Sequence, residues 1–204
     1  VKIWTDASTY PKNPGHMGLA YAADVEGTLV LGRAYGGHGT SNQAELLAIH
    51  FALDALGVKP SDDVTLYTDS QYSLKLIDGT WHWGVYGWLV RAIRMYGVHI
   101  EGLLIDLVRG HRGIAGNEQA DYGAYQGALK GMNDPLCPLY VIRDQHTRLL
   151  EAHIMPLYSW LPADLKQAVG VVHERVRHGK RNMDDAEQLI IQSARKALEE
   201  ITCD

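Results

Sequence analysis

The chain has 204 residues, 46% of them hydrophobic, and a formal charge of −5. That supplies one ordinary domain with a real core plus an appendage. No apolar run approaches the roughly 20 residues that a bilayer-spanning helix needs, so no membrane partner is expected.

The first segment, Val1–Thr5, alternates like a strand and is expected to stop at Asp6. No secretory leader is expected ahead of it. Pro11 and Pro14 mark a loop. Met17–Ala23 and Thr28–Ala34 read as two further strands, with Glu26-Gly27 as the tight turn between them. Gly36–Ser41 reads as a Gly-rich loop. Asn42 then suits an N-cap, with Glu45 at the capping-box spacing. Leu46, Ile49, Leu53 and Leu56 recur at helical intervals and predict a helix over Asn42–Leu56.

Val64–Thr68 predicts a buried strand with Asp69 at its C-terminal edge. A short helix is expected over Ser70–Ile77 and another over Leu89–Tyr96. Between them, Trp81–Trp88 is aromatic and broken by glycine, and most of its rings are expected in the core. β-favouring residues follow over His99–Arg109, most clearly Ile105–Val108. A turn over Gly110–Gly116 leads into a helix from about Asn117 to Leu129.

Pro135 and Pro138 interrupt the pattern, which places a domain boundary between residues 133 and 134. Beyond it, Leu139–Arg143 and Thr147–Ile154 suggest a hairpin. Leu161–His178 and Met183–Ile201 suggest two helices. The expected role of residues 134–204 is substrate contact or self-association. The basic run Arg175, Arg177, Lys180 and Arg181 is a solvated helix end or a phosphate contact. Cys137 and Cys203 have no metal-ligand spacing, and a reducing, cytoplasmic setting is expected.

Short turns make the first three strands antiparallel, and helical crossovers make the fourth and fifth parallel to the first. The fold class is therefore α/β, a mixed five-stranded sheet in order 3-2-1-4-5 flanked by helices. Strands one and four become neighbours, which sets Asp6 and Asp69 side by side at strand ends where ligands collect. Glu45 and Asp121 lie in the first turns of two helices. Carboxylates gathered so closely repel one another unless a cation joins them. Hard oxygen ligands point to Mg²⁺, or Mn²⁺. Two such ions about 4 Å apart can cut a phosphodiester. Residues 1–133 hold 13 acidic and 10 basic side chains, so neutralising these four carboxylates leaves a slight positive excess. The net charge thus does not exclude a nucleic-acid partner.

Four ordered motifs, TDAS, SNQAEL, YTDSQY and GHRGIAGNEQAD, carry these residues. With them, residues 1 to about 130 resemble type 1 ribonuclease H. The resemblance implies the ribonuclease H-like fold. It also implies hydrolysis of the RNA strand of an RNA–DNA hybrid, leaving 5′-phosphate and 3′-hydroxyl ends. On that resemblance Asp6, Glu45, Asp69 and Asp121 hold two metal ions, with Asp6 bridging them. His111 falls on the loop histidine that assists proton movement or product release, and Glu118 on a second acidic position near the site. Asn13, Asn42 and Gln71 fall on minor-groove contacts, which read 2′-hydroxyls and base edges. Thr40 falls on part of a pocket for a DNA phosphate. Trp81 is the best candidate in its segment for ring contact with a nucleic acid. Asn42 serves equally as a helix cap, and Gln71 could merely solvate a helix start.

Three departures stand out. Ala7 replaces the glycine of the usual TDGS, Gly79–Val90 lacks Lys and Arg, and residues 134–204 carry no recognisable family motif. Two other readings of the same motifs are a module that binds RNA–DNA hybrid or double-stranded RNA without cutting and a metal nuclease with another substrate, such as double-stranded RNA or a DNA junction.

Overall fold

The computed structural model describes residues 1–59, 62–100, 102–108, 113–140 and 142. The strands are β1 (Lys2–Tyr10), β2 (Gly15–Val25), β3 (Thr28–Gly39), β4 (Asp63–Thr68) and β5 (Gly102–Leu107). The helices are α1 (Ser41–Ala55), α2 (Gln71–Ile77), α3 (Gly87–His99) and α4 (Ala115–Asn133). The sheet order is β3-β2-β1-β4-β5, as expected from the hairpins and crossovers. β1 pairs antiparallel with β2 and parallel with β4, with Thr5 opposite Thr68. The next residue on β1 is Asp6 and the next after β4 is Asp69.

The chain divides into two compact units. One holds Val1–Gly57, Val64–Leu74 and Ile105–Val141, and the other includes Val58–Asp63 and Lys75–Leu104. In the first, α1 buries Leu46, Ile49, Ala52 and Leu53 and packs on β1 and β2. Helix α4 packs on β1, β2 and β3 through a small-residue face of Gly116, Ala120, Ala124, Gly127 and Ala128. Small residues let the helix backbone come close to the sheet. A Cβ on Gly18 of β2 would strike the Ala124 carbonyl oxygen and the Ala128 nitrogen.

After α4 the chain stays on this unit. The Tyr140 N–H donates to the Tyr35 carbonyl (2.7 Å), and Leu139 forms a parallel bridge with Tyr35 at the edge of β3. The Tyr140 hydroxyl lies 2.8 Å from His50 Nδ1 and donates to Asp54 Oδ2 (3.1 Å), both on α1. Its ring meets Phe51 edge-on at 5.0 Å.

Several boundaries differ from the sequence expectation. β1 runs past Asp6 to Tyr10, because its pairing with β2 continues to Tyr10 opposite His16. The expected loop over Gly36–Ser41 is mostly strand, since β3 keeps pairing with β2 as far as Gly39 opposite Gly15. The N-cap of α1 is Thr40, not Asn42. Thr40 has extended backbone angles and its side chain accepts from the Gln43 N–H at 3.2 Å. The capping box expected between Asn42 and Glu45 therefore does not form. Helix α4 starts two residues early, at Ala115, which puts Asn117 inside it and buries it.

The tryptophan-rich segment is not core. Trp81 is exposed and Trp83, Tyr86 and Trp88 are half-buried. Cations cover part of the rings, with Lys75 Nζ 4.7 Å from the Trp81 centroid and the Arg94 and Arg91 guanidiniums 4.5 and 5.4 Å from Trp83. Such stacking gives these rings a partner without full burial. Beyond Tyr140, the suggested hairpin, the two C-terminal helices and their basic run lie outside the described residues.

The close approach of α4 to β2 makes a direct prediction. Gly18→Ala should destabilise the protein by about 3 kcal/mol, the upper scale of overpacking, as measured by urea unfolding. A loss under roughly 0.5 kcal/mol would show that the helix can move away freely.

Candidate active site

Three carboxylates come from three elements of one unit. Asp6 sits mid-strand on β1 and is buried. Asp69 follows β4 directly, and Glu45 lies in α1, one turn in from its cap. Each offers a carboxylate oxygen within 4.8 Å of the other two. The local causes are visible. Parallel pairing of β1 with β4 sets the two Asp residues abreast. The α1 start is pinned by the Asn13 amide, whose Nδ2 donates to Ser41 Oγ (2.8 Å) while its Oδ1 accepts from the Ser41 N–H (3.0 Å).

The cluster is electrostatically unfavourable. Burial pushes the Asp6 carboxyl up to about 7, the Asp69 charge adds to this, the Ala7 N–H opposes it, and Asp121 adds less. That N–H donates to Asp6 Oδ1 at 2.6 Å. Glu45 is held well above the usual carboxylate range, first by burial, then by Asp6 and Asp69. Its Oε2 is shut off from solvent and has no hydrogen-bond partner among the described residues. A buried acceptor left in this state is costly unless something donates to it or binds it. Three oxygen donors, one of them lacking a partner, fit a hard divalent cation.

Asp121 is placed less tightly. It is exposed in the second turn of α4, outside the three-carboxylate group, yet its charge is felt by both Asp6 and Glu45. Glu118, also on α4, is exposed. Asn42 and Gln71 are exposed in the first turns of α1 and α2, and Trp81 is exposed beneath Lys75. Asn13 and Thr40 already use their side chains at the start of α1. His111 lies outside the described residues.

Sequence reasoning missed two features. Ala7 was read only as a departure from glycine, whereas its N–H is the hydrogen bond that tempers Asp6 and Glu45. Asn117, four residues before Asp121, is buried with its Oδ1 lacking a hydrogen-bond partner among the described residues. Its place inside GHRGIAGNEQAD was the available signal.

Residues 1–129 match the family model described as RNase H. The chain belongs to the ribonuclease H family. Among its relatives, a ribonuclease H from Polaromonas naphthalenivorans is 32% identical over 151 residues, covering 65% of this chain and 89% of that one. Another, from Bradyrhizobium diazoefficiens, is 34% identical over 145 residues and covers 64% and 90%. These relatives support an enzyme of the same family. A crystal structure of RNase H1 from Halobacterium salinarum aligns with a TM-score of 0.54 at 27% identity, over 66% of this chain and 98% of that one. LC11-RNase H1 in complex with an RNA/DNA hybrid aligns at 0.51 with 20% identity, over 64% and 98%, a likeness of fold.

The raised Asp6 pKa carries a sign for stability. Burial favours the protonated form in the folded state. That stabilisation is present below the unfolded pKa near 4 and is lost as pH rises through about 7. It corresponds to about 4 kcal/mol. In chelator, Asp6→Asn and wild type should have similar stability near pH 4. By pH 8 the variant should be the more stable by several kcal/mol, read from urea unfolding at each pH. A stability difference that does not vary with pH would contradict the cluster's electrostatics.

Proposed function

We propose that the chain is an endoribonuclease that hydrolyses the RNA strand of RNA–DNA hybrids. Residues 1–133 would carry the activity and residues 134–204 form an extension, and the chain would work in the cytoplasm. The observation that carries this reading is the group of three carboxylates within 4.8 Å, one with an oxygen lacking a hydrogen-bond partner, in a ribonuclease H family chain. Asp6, Glu45 and Asp69, with Asp121 beside them, would hold Mg²⁺ or Mn²⁺, two ions per site. When bound, such ions supply charge neutralisation for the attack of water on a phosphodiester, leaving 5′-phosphate and 3′-hydroxyl ends.

The chain's own groups do the rest. The Ala7 N–H fixes the Asp6 carboxylate. Asn13 and Thr40 set the start of α1, and so set the direction from which Glu45 enters. Asn42 and Gln71 present exposed amides suited to 2′-hydroxyls and base edges in a hybrid's minor groove. Trp81 offers an exposed ring on which a sugar or base can rest. His111 would move a proton near the departing product, and Glu118 would support it from α4. The complex of LC11-RNase H1 with an RNA/DNA hybrid supports a hybrid as substrate.

Cleavage of end-labelled hybrid, RNA duplex and DNA duplex in Mg²⁺ tests the reading. Only the RNA strand of the hybrid should be cut, and Asp6→Asn should lower the rate by roughly 100-fold or more, the scale of losing a main electrostatic stabiliser. Tight hybrid binding without product would instead indicate a non-cutting module. His111→Ala should slow turnover less than Asp6→Asn, because it holds no ion. Equal losses in the two variants would refute that ranking.

A further inference from the structure

We infer that His16 and His38 form a chelating pair for a d-block divalent cation such as Zn²⁺, Ni²⁺ or Cu²⁺, separate from the carboxylate cluster. His16 on β2 and His38 on β3 are register partners, so their side chains leave the same face of the sheet. Directly opposed residues have Cβ atoms about 5 Å apart, within reach of one ion. The two ring centroids are 5.7 Å apart, with their planes at 75°. His38 is exposed, and turning its ring about the last side-chain bond costs little.

His16 is the oriented member of the pair. Its Nδ1 lies 2.8 Å from the Tyr35 hydroxyl, and the two rings stack at 5.8 Å. In the tautomer whose Nδ1–H donates to the Tyr35 oxygen, the Nε2 lone pair is left for a metal. A second group that fixes the ring in this way is the usual support of a ligating imidazole. Imidazole suits Zn²⁺, Ni²⁺ and Cu²⁺, whereas an all-oxygen set suits Mg²⁺ and Mn²⁺. The two sites therefore select different ions. With only two protein ligands the remaining positions go to water, which makes the pair an open, exchangeable site.

The pair sits at the last rungs of the β2–β3 ladder, beside Gly15 opposite Gly39. Asn13 lies three residues before His16, and Thr40 two residues after His38. An ion spanning the pair would tie these strand ends together and restrain the loop and cap that the hybrid reading assigns to substrate contact. This last consequence alone rests on that reading. It predicts that the ion changes KM for hybrid more than kcat.

Calorimetric titration of the untagged full-length chain with Ni²⁺, in saturating Mg²⁺, tests the inference. Wild type, His16→Gln and His38→Gln are compared. Either substitution should remove the same single equivalent of Ni²⁺. A hundredfold excess of Ni²⁺ over Kd should raise the wild-type melting midpoint by about 5 to 10 °C and leave both variants unmoved. Melting in Mg²⁺ alone checks that each variant is folded, and His38, being exposed, can be replaced without disturbing the core. Equal Ni²⁺ stoichiometry in all three proteins overturns the site. Loss of the equivalent in both variants, in a protein that cuts no hybrid, upholds the site while refuting the nuclease reading. A bound equivalent with no change in KM overturns only the link to substrate.

Discussion

Mutual repulsion among Asp6, Glu45 and Asp69 is the constraint around which the rest of this structure is arranged. Three carboxylates with oxygens within 4.8 Å, and with Asp6 and one Glu45 oxygen out of solvent, destabilise the fold that holds them. A protein carries such a cost only where the surrounding elements are strong enough to impose it, and where a cation can reverse its sign. The first condition is met here. The β1–β4 pairing fixes two of the carboxylates through backbone hydrogen bonds, and α1 brings the third from a start clamped by Asn13 and Thr40.

The stabilising side of that balance lies in packing. Helix α1 buries a continuous apolar face against β1 and β2, and α4 lies close on β1, β2 and β3 through glycine and alanine. The segment to Tyr140 adds a strap that the match over residues 1–129 does not include. It joins the edge of β3 to α1 through one phenol and one backbone hydrogen bond. Residues 130–140 thus extend the first unit beyond the matched region, onto the same helix that carries Glu45.

Much of this was legible in the sequence because it rests on local rules. Glu26-Gly27 between two strand-like runs gives a hairpin, and helical crossovers give parallel neighbours. Together these fix the sheet order and the adjacency of Asp6 and Asp69. What was not legible depends on contacts between distant segments. Gly36–Gly39 reads as a loop by composition, but β2 supplies a partner that keeps it extended. Glycine at 39 leaves room for the Met17 sulfur and the Gln43 amide, which a Cβ would crowd. Both Thr40 and Asn42 are good caps, and the choice falls to Thr40 because Asn13, 28 residues away, holds Ser41 as the first helical residue. The half-exposed tryptophans follow from arginine and lysine partners that aromatic content alone does not reveal.

The most direct test of the account is a carbon-detected NMR titration of the Asp6 carboxyl, with and without Mg²⁺. In chelator it should titrate near 7, and in saturating Mg²⁺ that transition should move to markedly lower pH as the ion displaces the proton. A midpoint near the ordinary Asp value in chelator, or one near 7 that Mg²⁺ leaves in place, would contradict a cluster built to be neutralised by divalent cations.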